Sequence, residues 1–82
     1  MNYQRTITLP TIKDVYDFHK AICKVNCDID MLAMNFKYCV DAKSIMGIFS
    51  MDLTQPVVIK AHTDIPEILR EIDKIIEGKE VD

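Results

Sequence analysis

The 82-residue chain predicts an α/β (α+β) fold, an open-faced two-layer sandwich in the order β-α-β-β-α-β-α, with three helices covering one face of a four-stranded sheet. Three observations predict it. Short segments of alternating or β-rich apolar residues are interleaved with segments whose apolar residues recur at helical spacing. Helix-start chemistry stands at Thr11, at Ser44 and at Asp64-Ile65-Pro66-Glu67. No repeat, linker or low-complexity stretch divides the chain, so residues 1–82 read as one domain.

Tyr3 to Leu9 opens the chain as a half-buried strand, with Ile7 and Leu9 on one side and Thr6 and Thr8 on the other, and Pro10 interrupts its pairing. Thr11 and Asp14 have capping spacing, and Val15, Phe18, Ile22 and Val25 mark one face of a helix ending near Asn26. Ile29 to Asn35 and Phe36 to Asp41 read as two strands of a hairpin around Asn35, with Phe36, Tyr38 and Val40 on one face. The turn lacks Asn-Gly, the pair best suited to positive φ at both central residues, which leaves the register open.

Ser44 to Met51 forms a short helix in which Gly47 lowers the intrinsic helix preference. Asp52 to Gln55 is a loop, Pro56 suits the start of a strand, and Val57, Ile59 and Ala61 share that strand's inner face. Pro66 starts the last helix, whose stripe runs through Ile65, Ile68, Leu69, Ile72, Ile75 and Ile76 until Gly78 stops it, with the helix's final residues expected to fray. With all three helices on one sheet face, the other stays solvated and tolerates Lys, Gln and Thr.

Composition narrows the function. A chain this short buries about 60–65% of its unfolded surface, enough for one core and not for a deep enzymatic pocket. Apolar residues make up 49% and charged residues 28%, the balance of a folded domain. The formal charge of −3 and pI near 5.2, with ten scattered Lys and Arg, oppose direct nucleic-acid binding. No apolar run approaches the ~18–20 residues that cross a bilayer, and no signal peptide is evident, so a cytoplasmic location is expected. Three cysteines, an odd number, fit a reducing compartment.

Lys43-Ser44-Ile45-Met46-Gly47 resembles the regulatory serine region of HPr, the small phosphocarrier of the bacterial sugar phosphotransferase system. The length, the element order and Val57-Val58-Ile59-Lys60-Ala61 ahead of an amphipathic helix extend the resemblance over most of the chain; only the Lys43–Gly47 string is specific. The resemblance implies an HPr-like sandwich, a serine phosphorylated by an HPr kinase/phosphorylase, and a partner surface at Lys43, Ile45, Met46 and Phe49 that also meets a transcriptional regulator. It implies no cofactor, no metal and no membrane insertion.

The chain departs from HPr at the turn before the first helix, where the family carries its phosphorylatable histidine in Gly-x-His-x-Arg-Pro. Ungapped alignment back from Lys43 puts Lys13 at that position, and a slide of one residue that matches the helix core puts Asp14 there. The glycine, arginine and proline are missing as well. A histidine-lacking paralogue that acts in catabolite repression through its serine is the better analogy. The expectation is a non-enzymatic regulator switched at Ser44; the rivals are a phosphocarrier with an unconventional acceptor and a constitutive interaction domain.

Each candidate has a plainer reading. Ser44 serves equally as an N-cap, worth ~0.5–2 kcal/mol over alanine, without any modification. Helical spacing places Ile45, Ile48 and Phe49 in one sector facing the core and leaves Met46 as the better surface contact. His19 and Cys23, four apart, with Cys27 beyond, are too few and too irregular for a structural zinc site. His19 also lies more than one turn inside its helix, away from the free N–H groups a phosphoryl group would use, and His62 falls near a strand end.

Overall fold

The computed structural model describes residues 3–81. Its elements are β1 (Tyr3–Ile7), α1 (Ile12–Ile22), β2 (Ile29–Ala33), β3 (Cys39–Asp41), α2 (Ile45–Phe49), β4 (Val57–Ala61) and α3 (Pro66–Ile75). The sheet order is β1-β4-β2-β3 and every neighbouring pair is antiparallel. This is the α+β architecture that the element order predicts.

The side-chain period of two divides the sheet. Tyr3, Ile7, Ile29, Met31, Val57, Ile59 and Ala61 are buried together with Val15, Phe18 and Ile22 of α1, Ile48 of α2 and Ile72 of α3. The opposite parity carries Gln4, Thr6, Asp30, Leu32, Cys39, Asp41 and Lys60, with Val58 the one well-covered apolar side chain at its centre. Val58 is flanked in register by Thr6 and Leu32, so two strands shield it without a helix above.

Several boundaries differ from the sequence reading, each for a local reason. β1 ends at Ile7 rather than Leu9, yet Leu9 stays buried. β2 stops at Ala33 and β3 begins only at Cys39, because Met34 to Lys37 form a four-residue loop closed by Ala33 and Tyr38. In that loop the Asn35 Oδ1 accepts the Lys37 N–H at 2.8 Å and Phe36 takes φ of 61°. Phe36 is therefore a turn residue. Ile65 is not in the core stripe either: it is the uncapped residue before Pro66 and is largely exposed.

The segment after α3 folds back onto β1. Gly78 turns the chain at φ of 82°, the left-handed geometry that ends helices. Thr8 N–H then donates to Lys79 O and Val81 N–H to Thr6 O, both at 2.9 Å, and Ile7 bridges Glu80. The outer edge of β1 is thus paired, while β3 remains the open edge.

Candidate functional site

Ser44 stands at the N-cap of α2 in extended backbone, with φ −97° and ψ 111°. Its Oγ accepts the Gly47 N–H at 3.1 Å, its own N–H donates to Asp41 O at 2.9 Å, and its carbonyl accepts from Ile48 N–H at 3.0 Å. The side chain is exposed. Gly47 lets this corner close: a Cβ built there would lie 3.2 Å from Val40 Cβ and 3.3 Å from Ser44 Cβ. The glycine that weakens α2 as a helix is therefore needed where α2 crosses β3 and its own cap.

Lys43, the residue before Ser44, does not present a free cation there. Its Nζ donates to Val25 O at 2.6 Å, its backbone N–H donates to the Asp41 carboxylate at 2.9 Å, and its carbonyl accepts from His19 Nε2 at 2.9 Å. The half-buried side chain is thus committed to the loop that follows α1, close to the helix C-terminus, where positive charge is favoured.

The apolar residues around Ser44 divide differently from their helical spacing. Ile48 is fully buried and Ile45 half-buried against the core. Met46 is 77% exposed, as expected of a surface contact, but Phe49 is 39% exposed where a core position was expected. The reason is that α2 has only five residues and ends at Phe49, so its ring leans on α1 rather than on the sheet. It meets Tyr16 edge-on at 5.7 Å between centroids, an arrangement aromatic quadrupoles favour.

Tyr16 and Ile12, 53% and 67% exposed, extend this surface along α1 and were missed in the sequence. A signal was present: both are large apolar residues outside the Val15-Phe18-Ile22 stripe, which has no use for them. Beside them a cavity of about 620 Å³ opens between Leu9, Pro10, Ile12 and Val15 on one side and Phe49 and Leu53 on the other. Its volume falls in the range of ligand-sized pockets, and its lining residues carry no ionised side chain.

The turn before α1 is built on Thr11, as its spacing to Asp14 predicts. Lys13 and Asp14 do not precede the helix; they are its second and third residues. The cap is Thr11, whose Oγ1 accepts the Asp14 N–H at 3.0 Å while Asp14 Oδ2 accepts the Thr11 N–H at 3.2 Å, a reciprocal capping box. Lys13 is instead paired with Asp17 one turn on, at 2.6 Å. That hydrogen bond raises the lysine's pKa and lowers the aspartate's. The pre-helix position is thus a threonine whose hydroxyl is already engaged.

Each of the two histidines has a defined partner. His19 Nε2 contacts Lys43 O and lies 3.3 Å from Cys23 Sγ. His62, just past β4, places Nε2 2.6 Å from Asp30 Oδ2 of β2, a partnership that only the β2–β4 pairing creates. Among the described residues no group of three or more His, Cys, Asp or Glu side chains converges as a metal site. Nor is any described helix long and apolar enough to cross a membrane.

No protein-family profile matches the sequence, and no curated protein does. Among solved structures the chain is similar to that of HPr-C-His from Thermoanaerobacter tengcongensis, with a TM-score of 0.70 and 27% identity over 99% of both chains. The fold is HPr-like, and this likeness supports an HPr-like phosphocarrier family.

Proposed function

We propose that this protein is a regulatory relative of HPr that does not carry phosphoryl groups on a pre-helix histidine. It binds protein partners through α1 and α2, in the cytoplasm, and its docking is switched by phosphorylation of Ser44 in carbon catabolite regulation. The observation that carries this reading is an exposed serine hydroxyl at a helix start, bordered by Met46, Phe49, Tyr16 and Ile12, in a chain whose pre-helix turn holds Thr11. A phosphoryl group on Oγ would bring a charge of about −1.5 to −2 and new acceptors to the apolar rim. At an exposed helix start the dipole contributes ~0.3–1 kcal/mol, so the main effect is on which partner can dock. The partners this reading names are an HPr kinase/phosphorylase and a transcriptional regulator.

The test is phosphorylation by an HPr kinase with ATP, followed by intact mass, with genuine HPr in parallel. One added phosphoryl group, lost in Ser44→Ala, is the expected result. An unmodified chain beside fully modified HPr would remove the switch, leaving a constitutive interaction domain that binds its partner equally well with Ser44 or alanine.

A phosphocarrier using an unconventional acceptor is the second reading. It is favoured by one feature, an exposed His62 whose Nε2 is held by Asp30, leaving Nδ1 for a phosphoryl group. Incubation with phosphoenolpyruvate and the first enzyme of the phosphotransferase system separates the two, since only this reading expects acid-labile phosphate on a histidine.

A further inference from the structure

The hairpin between β2 and β3 carries apolar side chains that neither the core nor the α1–α2 surface uses. Met34, Phe36 and Tyr38 alternate along the loop and are 49%, 56% and 47% exposed. Phe36 is the most unusual of the three. Its φ of 61° lies in the left-handed region that disfavours a Cβ, and glycine or asparagine would close the same turn at less cost. Burial of the ring within one chain does not offset that strain, so the loop tip holds an aromatic side chain that the turn itself does not call for.

Beside the tip lies a cavity of about 310 Å³, between the hairpin and the segment that joins α2 to β4. Ala33, Met34, Tyr38, Met51, Pro56 and Val57 form its apolar wall. That volume is at the bottom of the ~300–1,000 Å³ range of small-molecule sites and suits an inserted side chain better than a cofactor. The Tyr38 wall is held by its hydroxyl, 2.7 Å from Ser50 Oγ, and the flexible Met34 adapts to what enters. Opposite charges flank the tip and the cavity. Lys37, next to Phe36, is exposed and has no ion-pair partner among the described residues. Asp52 stands on the cavity, where its Oδ1 accepts from Thr54 and its Oδ2 is left for another donor.

We propose that this surface receives a second copy of the chain, in a two-fold symmetric dimer where each Phe36 enters the other's cavity and each Lys37 meets the other's Asp52. A two-fold interface requires one patch to complement itself, and a projecting ring beside an apolar cavity, with a cation on the first and an anion on the second, meets that requirement. The ring is the anchor; the exposed ion pairs set orientation more than affinity. The outer edge of β3 is unpaired, which leaves the hairpin open to approach. Because the patch is one loop and one small cavity, the dimer is weak and forms in the upper micromolar range. Neither Ser44 nor its modification enters this interface, so it stands apart from the function proposed above.

Sedimentation velocity of the full chain under reducing conditions, in a concentration series reaching the millimolar range, should show a reversible rise from monomer toward dimer. Phe36→Gly should weaken association about tenfold or more while the dilute protein melts no lower than wild type, a combination that damage to the fold does not produce. Lys37→Glu and Asp52→Lys should each associate several-fold more weakly. An equimolar mixture of those two should recover association, because each reversed charge then faces its opposite across the two-fold axis. Asp52→Asn keeps the acceptor for Thr54 and should weaken association with a flatter salt dependence, which separates lost charge from a damaged turn. A chain that stays monomeric at millimolar concentration overturns the proposal, even if the patch captures an unrelated protein. A dimer indifferent to Phe36→Gly overturns it as well, and so does a mixture that associates no better than its components.

Discussion

Ser44 shows how far one side chain can be read before folding is considered. Its hydroxyl, the apolar residues after it and the glycine at the third helical position announce an N-cap, and the structure has that cap. Ser44→Ala leaves the Gly47 N–H to water, and a loss of ~0.5–2 kcal/mol is expected, toward the lower end for so short and exposed a helix. A urea midpoint unchanged from wild type would show that the cap contributes nothing to stability. Lys43, one residue earlier, was not legible: its ammonium finds Val25 O and its carbonyl finds His19 only because the chain before α2 lies against the end of α1. Met46 and Phe49 make the same contrast, the first placed by helical spacing and the second by where α2 stops.

Among the elements, the hairpin between β2 and β3 carries local strain. Phe36 holds φ of 61°, a left-handed conformation that costs a residue with a Cβ roughly 1–2 kcal/mol, and its ring is 56% exposed, so little burial offsets the cost. Phe36→Gly should therefore raise the thermal midpoint, by up to ~1 kcal/mol of stability after glycine's greater unfolded-state entropy is subtracted. A lowered midpoint would mean that the phenyl ring makes packing contacts worth more than the strain. The sequence warned of this turn through its missing Asn-Gly, but not that the loop would take four residues and leave β3 three residues long. Similarly, the Thr11–Asp14 spacing located the start of α1, and it places Lys13 and Asp14 inside the helix.

At the scale of the whole molecule, the two ends of the described chain meet at the β1 edge. Tyr3 donates its hydroxyl to Asp73 of α3, Arg5 lies 4.1 Å from the centre of the Tyr3 ring, and Arg5 Nε is 3.9 Å from the same carboxylate. Burial first, and then the hydrogen bond to Asp73, hold the Tyr3 phenol well above its usual pKa. A phenol whose folded pKa lies above its unfolded value stabilises the fold fully below the unfolded value, near ~10, and loses that contribution as pH rises toward the folded one. Stability should thus fall above about pH 10, and Tyr3→Phe should flatten part of that fall. Equal alkaline slopes in the two proteins would show that the phenol titrates alike folded and unfolded.

Local signals were sufficient for the element order, the core stripe Val15-Phe18-Ile22, the inner face of β4 and the serine cap, because each depends on periodicity or on side-chain chemistry within about four residues. Tertiary structure alone decided that Lys43 turns inward, that Tyr16 and Phe49 join across two helices, that Asp30 meets His62, and that residues 79–81 pair with β1. Each of these joins groups from different elements, and such distances are set by strand order and helix packing, which no short window of sequence contains.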